Sequence, residues 1–203
     1  MAEGKSTVAA NLAWVMAESG SRVLLVDADL RRPRVATLFG IDGSVGLSQV
    51  ILDRSLGSDA MVKAGPEGLW VLPAGQIPPT PSELLGSHRM ASLIEEWSKE
   101  FFVVLDAPPL LPVTDGALLA HVAGGAVLVI RHGSTRVEHV ERAVENLKAV
   151  EAGILGCVLN RAAGRRLDRF RYGDAEYGYG YGYGYGYGGA YGYRGDEARE
   201  PGA

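Results

Sequence analysis

Five continuous apolar runs, each closed by turn-forming or acidic residues, constrain this chain more than any other feature. They are Val23 to Val26, Trp70 to Leu72, Phe101 to Leu105, Ala126 to Ile130 and Ile154 to Leu159. A strand with one wet face alternates apolar and polar residues, whereas a strand covered on both faces is apolar throughout. The runs therefore predict buried strands of a mostly parallel sheet with helices on both sides. Helical spacing lies between them. From Arg136 to Ala152 the residues Val137, Val140, Val144, Leu147 and Val150 recur at steps of three and four, with Gly153 expected to cap the end. Ser6 to Glu18, which Gly20 terminates, and His88 to Glu100 are further helices. Strand and helix alternate, so the fold class is α/β, and its ligands are expected at the carboxyl ends of the strands.

Composition removes several classes. No apolar stretch approaches the roughly 18 residues of a membrane span, and the N-terminus lacks the apolar core of a signal peptide, so a soluble intracellular protein is expected. A single cysteine, Cys157, permits no internal disulfide and no cysteine-rich metal site. With 20 basic against 24 acidic residues, no global charge draws the chain to nucleic acid, and no nucleic-acid partner is expected. The four histidines, His88, His121, His132 and His139, show no metal-binding spacing and read as surface or satisfied core residues.

The two ends differ from the middle. Residues 1–164 read as one folded domain and 165–203 as a tail, where apolar periodicity stops, arginines cluster and Tyr-Gly repeats follow. All nine tyrosines lie there: Tyr172, Tyr177, Tyr179, Tyr181, Tyr183, Tyr185, Tyr187, Tyr191 and Tyr193. Glycine at every second position carries a large ordering entropy and offers little to pack, which predicts a mobile segment. At the other end, Gly4-Lys5-Ser6-Thr7 matches the second half of the phosphate-binding loop GxxxxGK[ST]. A helix N-terminus presents unpaired N–H groups to phosphate, Lys5 reaches the terminal phosphates, and the Ser6 hydroxyl coordinates Mg²⁺. The first glycine of that motif and the strand before it would fall ahead of Met1, so the expectation is a sheet without its N-terminal strand.

Acids complete the pattern. Val23-Leu24-Leu25-Val26-Asp27-Ala28-Asp29 is a strand ending in two aspartates whose spacing points both side chains the same way. Phe102-Val103-Val104-Leu105-Asp106 has the form of a Walker B strand, whose terminal acid holds Mg²⁺ directly or through water. Three acids at strand ends near one phosphate loop suit a magnesium nucleotide site.

On these residues the chain resembles the bacterial tyrosine kinases of capsule and exopolysaccharide synthesis, which are similar to the MinD and ParA group of P-loop ATPases. The resemblance rests on EGKST at Glu3 to Thr7, VLLVDADLRRP at Val23 to Pro33, GLSQVI at Gly46 to Ile51 and LPAGQIPPTPSELLGS at Leu72 to Ser87. It extends through VVLDAPPLLPVTDG at Val103 to Gly116, LGCVLNR at Leu155 to Arg161 and the tyrosine-rich tail. It implies a P-loop fold, the cofactors ATP and Mg²⁺, and transfer of phosphate to the tail tyrosines in trans. By the same resemblance Gly4, Lys5, Ser6 and Thr7 hold the phosphates, while Ser6, Asp29 and Asp106 hold the metal. Asp27 accepts the tyrosine proton. Arg31, with Arg32 beside it, either stabilises the transferring phosphoryl group or pairs with a neighbouring subunit. Asn160 either recognises adenine or simply turns the chain at a strand end.

The implied partners are a membrane polysaccharide co-polymerase that activates the kinase, other copies of the chain in a ring, and a cognate tyrosine phosphatase. The implied location is the cytoplasm, at the inner face of the plasma membrane. Two rival readings share part of this pattern: a MinD- or ParA-like ATPase without kinase activity, and a non-catalytic scaffold whose Tyr-Gly tract self-associates.

Overall fold

The computed structural model describes residues 3–53 and 56–162. Helix α1 (Lys5–Glu18) leads into β1 (Val23–Asp27), the short helices α2 (Val35–Phe39) and α3 (Leu47–Leu52), and β2 (Val62–Lys63) with β3 (Leu69–Leu72). Then come α4 (Pro81–Leu85), α5 (His88–Ser98), β4 (Phe102–Asp106), α6 (Asp115–Ala123), β5 (Ala126–Arg131), α7 (Val137–Ala149) and β6 (Ile154–Asn160). All five expected strands form within a residue or so of their apolar runs.

β1 is the centre of a four-stranded sheet ordered β2-β3-β1-β4. It pairs in parallel with β3 and with β4, while β2 runs antiparallel at the edge. Its continuous apolar run has a direct structural cause. Leu24 and Val26 point into a core under α3, α5 and α6; Val23 and Leu25 point into a second core under α1 and α2, and all four are fully buried. The two faces are covered differently. α1 turns Ala13 and Ala17 to the sheet, small side chains that let the helix lie close. α5 presents Met90, Leu93, Ile94 and Trp97 at helical spacing, and its start is capped by Ser87, whose hydroxyl accepts from the Met90 N–H at 3.2 Å.

β5 and β6 depart from expectation. They pair in parallel with each other in a separate two-stranded sheet, and among the described residues no strand joins that pair to β4. Their runs predict burial, yet Val127 is 44% exposed, Leu155 75% and Leu159 55%. The cause lies in what covers them: Ala126 and Leu128 pack on Ala120 of α6 and Leu147 of α7, whereas Val127 on the other face stays exposed. The end of α7 also differs. The helix stops at Ala149, and the left-handed position after it is taken by Glu151 (φ 56°) rather than by Gly153. α1 ends as expected, with Gly20 at φ 90° and the Ser21 N–H returning to the Met16 carbonyl at 3.1 Å.

No helix among the described residues is long and apolar enough to cross a membrane. Cys157 is a free, exposed thiol.

Candidate nucleotide site

The carboxyl ends of β1 and β4 and the start of α1 meet at one place. Gly4 begins α1 in the left-handed region (φ 93°, ψ 28°), and a Cβ there would collide with the amide of Asn160. Glycine is therefore required twice over, by backbone conformation and by space. No acidic side chain occupies the first turn of this 14-residue helix, so its N–H groups keep the partial positive charge that favours an anion. Lys5 stands in that turn with its Nζ 3.1 Å from the Glu3 carboxylate. Burial pushes the Glu3 carboxyl up, but its own backbone N–H and the Lys5 ammonium outweigh burial and hold it below the usual range.

Asp27 and Asp106 are direct neighbours in the parallel ladder between β1 and β4. Both are buried. The Asp27 Oδ2 accepts from the Arg34 and Val35 N–H groups, each at 2.9 Å, and so starts helix α2. Its Oδ1 accepts only a longer bond, from the Asp29 N–H at 3.3 Å. Burial raises the Asp27 carboxyl above its ordinary range and the charge of Asp29 adds to this, against the three backbone N–H groups. Asp106 is pushed further, from 3.8 up to about 7, chiefly by burial and then by the charges of Asp27 and Asp29; a hydrogen bond from Ser6 and the charge of Lys5 oppose the rise. The Asp106 Oδ2 is buried without a hydrogen-bond partner among the described residues. A buried carboxylate oxygen left unpaired beside a serine hydroxyl and a phosphate-type loop is a position that a divalent cation would satisfy.

Asp29 lies two residues beyond Asp27 in the loop after β1, its Oδ1 accepting from the Arg32 N–H at 3.1 Å. Among the described residues no three His, Cys, Asp or Glu side chains converge closely enough to hold a metal by themselves.

Other expected site residues fall in different surroundings. The Asn160 amide donates to the Glu3 carbonyl at 2.8 Å, and its Oδ1 accepts from the Arg161 N–H at 2.8 Å, so it ties the end of β6 to the phosphate-loop segment. Thr7 is exposed on α1, and Arg32 is exposed. Arg31 is engaged within the chain: its Nε donates to Asp115 Oδ2 at 2.7 Å and its Nη2 to Ser82 Oγ at 3.0 Å. Ser82 in turn hydrogen-bonds Asp115 Oδ1 at 2.5 Å. Burial would raise Asp115, but the Arg31 and Ser82 hydrogen bonds and the Arg31 charge prevail and hold its carboxyl below the usual range.

Sequence reasoning assigned Ser82 and Asp115 no role. Asp115 falls inside the VVLDAPPLLPVTDG segment without a reading of its own, and only the fold brings it to Arg31. The segments carrying GLSQV and PAGQ also pack on each other: the Leu47 and Ser48 N–H groups donate to the Pro73 and Ala74 carbonyls at 2.8 and 3.0 Å. A side chain at Gly46 would strike the Pro73 carbonyl, which accounts for glycine there. The nine tail tyrosines lie outside the described residues.

The CobQ/CobB/MinD/ParA nucleotide-binding domain family matches residues 2–176. The tyrosine-protein kinase YwqD of Bacillus subtilis (strain 168) is 44% identical over 177 residues, covering 87% of this chain and 72% of that protein. Among solved structures, the chimerical protein CapA2B2 superposes with a TM-score of 0.75 at 38% identity, covering 79% of this chain and 71% of that one. The kinase domain of the Escherichia coli tyrosine kinase ETK superposes with a TM-score of 0.74 at 34% identity, covering 79% and 65%.

Proposed function

Because the chain belongs to the CobQ/CobB/MinD/ParA nucleotide-binding family and, within it, to the bacterial tyrosine kinases, we propose that it transfers phosphate from Mg-ATP to the tyrosines of its C-terminal segment in trans. The observation that carries the reading is the convergence at the strand ends: Asp27 beside Asp106 in the ladder, and Ser6 of the first turn of α1 on Asp106.

Bound Mg-ATP supplies the phosphoryl group and the cation that neutralises its charge. The protein's part is to bind, orient and take up a proton. The N–H groups of Gly4 to Thr7 and the Lys5 ammonium bind the phosphates. Ser6, Asp29 and the unpaired Oδ2 of Asp106 hold the cation. A tyrosine hydroxyl, with a pKa near 10, is protonated at neutral pH. As its oxygen bonds to the γ-phosphorus and the bond to the ADP oxygen breaks, its proton passes to Asp27. Oδ1 is the oxygen suited to receive it, since Oδ2 is committed to two backbone N–H groups. The raised pKa of Asp27 suits a carboxylate that must accept a proton. Asn160 shapes the nucleotide pocket from the end of β6, beside Gly4.

The acceptors are Tyr172, Tyr177, Tyr179, Tyr181, Tyr183, Tyr185, Tyr187, Tyr191 and Tyr193. In this reading copies of the chain assemble as a ring at the inner face of the plasma membrane, activated by a membrane polysaccharide co-polymerase and reversed by a cognate phosphatase. The kinase thereby regulates exopolysaccharide or capsule polymerisation. Each phosphate adds about −1.5 to −2 charges at neutral pH, so multiple phosphorylation would drive the copies apart.

The test is intact-mass counting of phosphates after incubation with Mg-ATP and the membrane activator, for the wild type, Lys5→Ala and Asp27→Asn. Asparagine keeps an acceptor for the Arg34 and Val35 N–H groups, so α2 stays in place while the proton acceptor is lost. The expected result is several phosphates on the wild type and none on either variant. Nucleotide hydrolysis without any tail phosphate would favour a MinD-like ATPase, and neither activity would favour a scaffold.

A further inference from the structure

The metal-site acids of the proposed site stand at the ends of neighbouring strands, Asp106 as the last residue of β4 and Asp29 in the loop after β1, and the structure joins the loops that follow these strands at a second point beyond the ladder. The loop after β1 runs from Ala28 to Arg34 and bears Asp29; the loop after β4 runs from Ala107 to Thr114 and follows Asp106. Each is anchored in the core near its start. Leu30 is buried in the core under α5, and the Ala28 N–H donates to the Asp106 carbonyl at 2.9 Å. Beyond these anchors the ladder has ended, and backbone pairing no longer sets how far apart the loops lie.

Arg31 crosses that gap. It leaves the first loop next to Leu30 and meets Asp115, the residue that ends the second loop and begins α6, through Nε to Oδ2 at 2.7 Å and Nη2 to Oδ1 at 3.4 Å. The pair is two-pronged, which fixes orientation as well as distance. Its two halves differ in solvent access: the Asp115 side chain is fully buried, whereas Arg31 is 39% exposed. Ser82, in the first turn of α4, occupies the remaining space, accepting from Arg31 Nη2 and hydrogen-bonding Asp115 Oδ1. Behind the pair, a side chain at Gly116 would strike the Pro108 carbonyl, so the second loop is packed directly on the start of α6 and moves with Asp115.

We propose that Asp115 and Ser82 are positioning residues which, through Arg31, hold the Asp29-bearing loop at the distance from Asp106, at the end of β4, that a phosphate-bound Mg²⁺ requires. Neither residue touches nucleotide or metal in this account. Mg²⁺ demands near-ideal octahedral geometry at short distances, so a small drift of the Asp29 loop relative to Asp106 weakens the metal more than it weakens the nucleotide. The inference rests on the nucleotide-site reading above.

Its test is the Mg²⁺ dependence of binding of a fluorescent ADP analogue to the full chain, beside thermal melting of the same samples, for the wild type, Asp115→Asn, Ser82→Ala and Arg31→Lys. Asparagine is isosteric with aspartate but loses the charge, and lysine keeps the charge but loses the fork. The expected result is a half-saturating Mg²⁺ concentration raised about tenfold in Asp115→Asn and Arg31→Lys, the lower end of the ordinary outer-shell loss, with a smaller rise in Ser82→Ala. Analogue affinity measured in EDTA should be unchanged, since Gly4, Lys5 and the start of α1 are untouched. Variants that melt lower but keep the wild-type Mg²⁺ midpoint would show a purely structural tie and overturn the inference alone. A wild type without any Mg²⁺-dependent binding would overturn the inference and the site reading together.

Discussion

Replacing Asp106 by asparagine should make the nucleotide-free protein less sensitive to pH, and the size of the effect follows from its surroundings. Asp106 is 2% exposed, its Oδ2 has no partner among the described residues, and its carboxyl is pushed from 3.8 up to about 7. Because the folded value is raised, the native state holds a proton that the unfolded chain has already released, so this group destabilises the fold as pH rises from about 4 and the loss is complete just above pH 7. At about 1.4 kcal/mol per pH unit the whole effect is on the order of 4 kcal/mol, of which about half falls between roughly pH 5.5 and 7. For a domain of this size 1 kcal/mol corresponds to about 2–4 °C in melting temperature. In EDTA, the wild type should lose roughly 4–8 °C more than Asp106→Asn between about pH 5.5 and pH 8; at pH 5.5 it should already carry the other half of the loss, and the two should converge only as the pH falls to about 4. Other titrating groups are common to both proteins and cancel in the difference. Mg²⁺ added to nucleotide at the higher pH should stabilise the wild type by more than the variant, which keeps only the phosphate contacts of Gly4, Lys5 and the start of α1. Parallel melting curves across the whole range would refute the reasoning, because the buried oxygen would then be ionised without cost.

Three further outcomes are expected. Gly4→Ala forces a side chain into the left-handed region and onto the Asn160 amide, so a cost of about 1–2 kcal/mol in denaturant unfolding should accompany a loss of nucleotide-analogue binding seen by fluorescence. Leu24→Ala, emptying a fully buried position in the core under α5, should cost about 3–5 kcal/mol by the same unfolding assay. Ser87→Ala removes the cap on α5 and should cost about 1 kcal/mol, with no change in the Mg²⁺ dependence of nucleotide binding.

Much of the candidate site was legible because its residues signal locally. Gly4, Lys5 and Ser6 announce a helix start, and Asp27 and Asp106 end apolar runs, so parallel strands place them side by side once β1 and β4 pair. Asp27 nonetheless does more than its spacing implied, because one of its oxygens starts helix α2. Arg31 was read as a group for phosphate or for a neighbouring subunit, and the fold also brings it to Asp115 and Ser82, 84 and 51 residues away in the chain. No pattern in the sequence pairs those three.

The alternation of apolar runs and helical spacing determined by itself that this chain forms an α/β domain with its chemistry at the strand ends, since periodicity reports how many faces of each element must be covered. What covers each face was decided only in three dimensions. β1 finds helices on both sides, and each of its four apolar side chains is buried. β5 and β6 have equally apolar runs but, among the described residues, pair only with each other, leaving Val127, Leu155 and Leu159 exposed. The same division governs the charges. A carboxylate at the end of an element is visible as a letter in the sequence, but whether it is paired, as Asp115 is, or left buried without a partner among the described residues, as Asp106 Oδ2 is, depends on which distant side chains the fold brings to it.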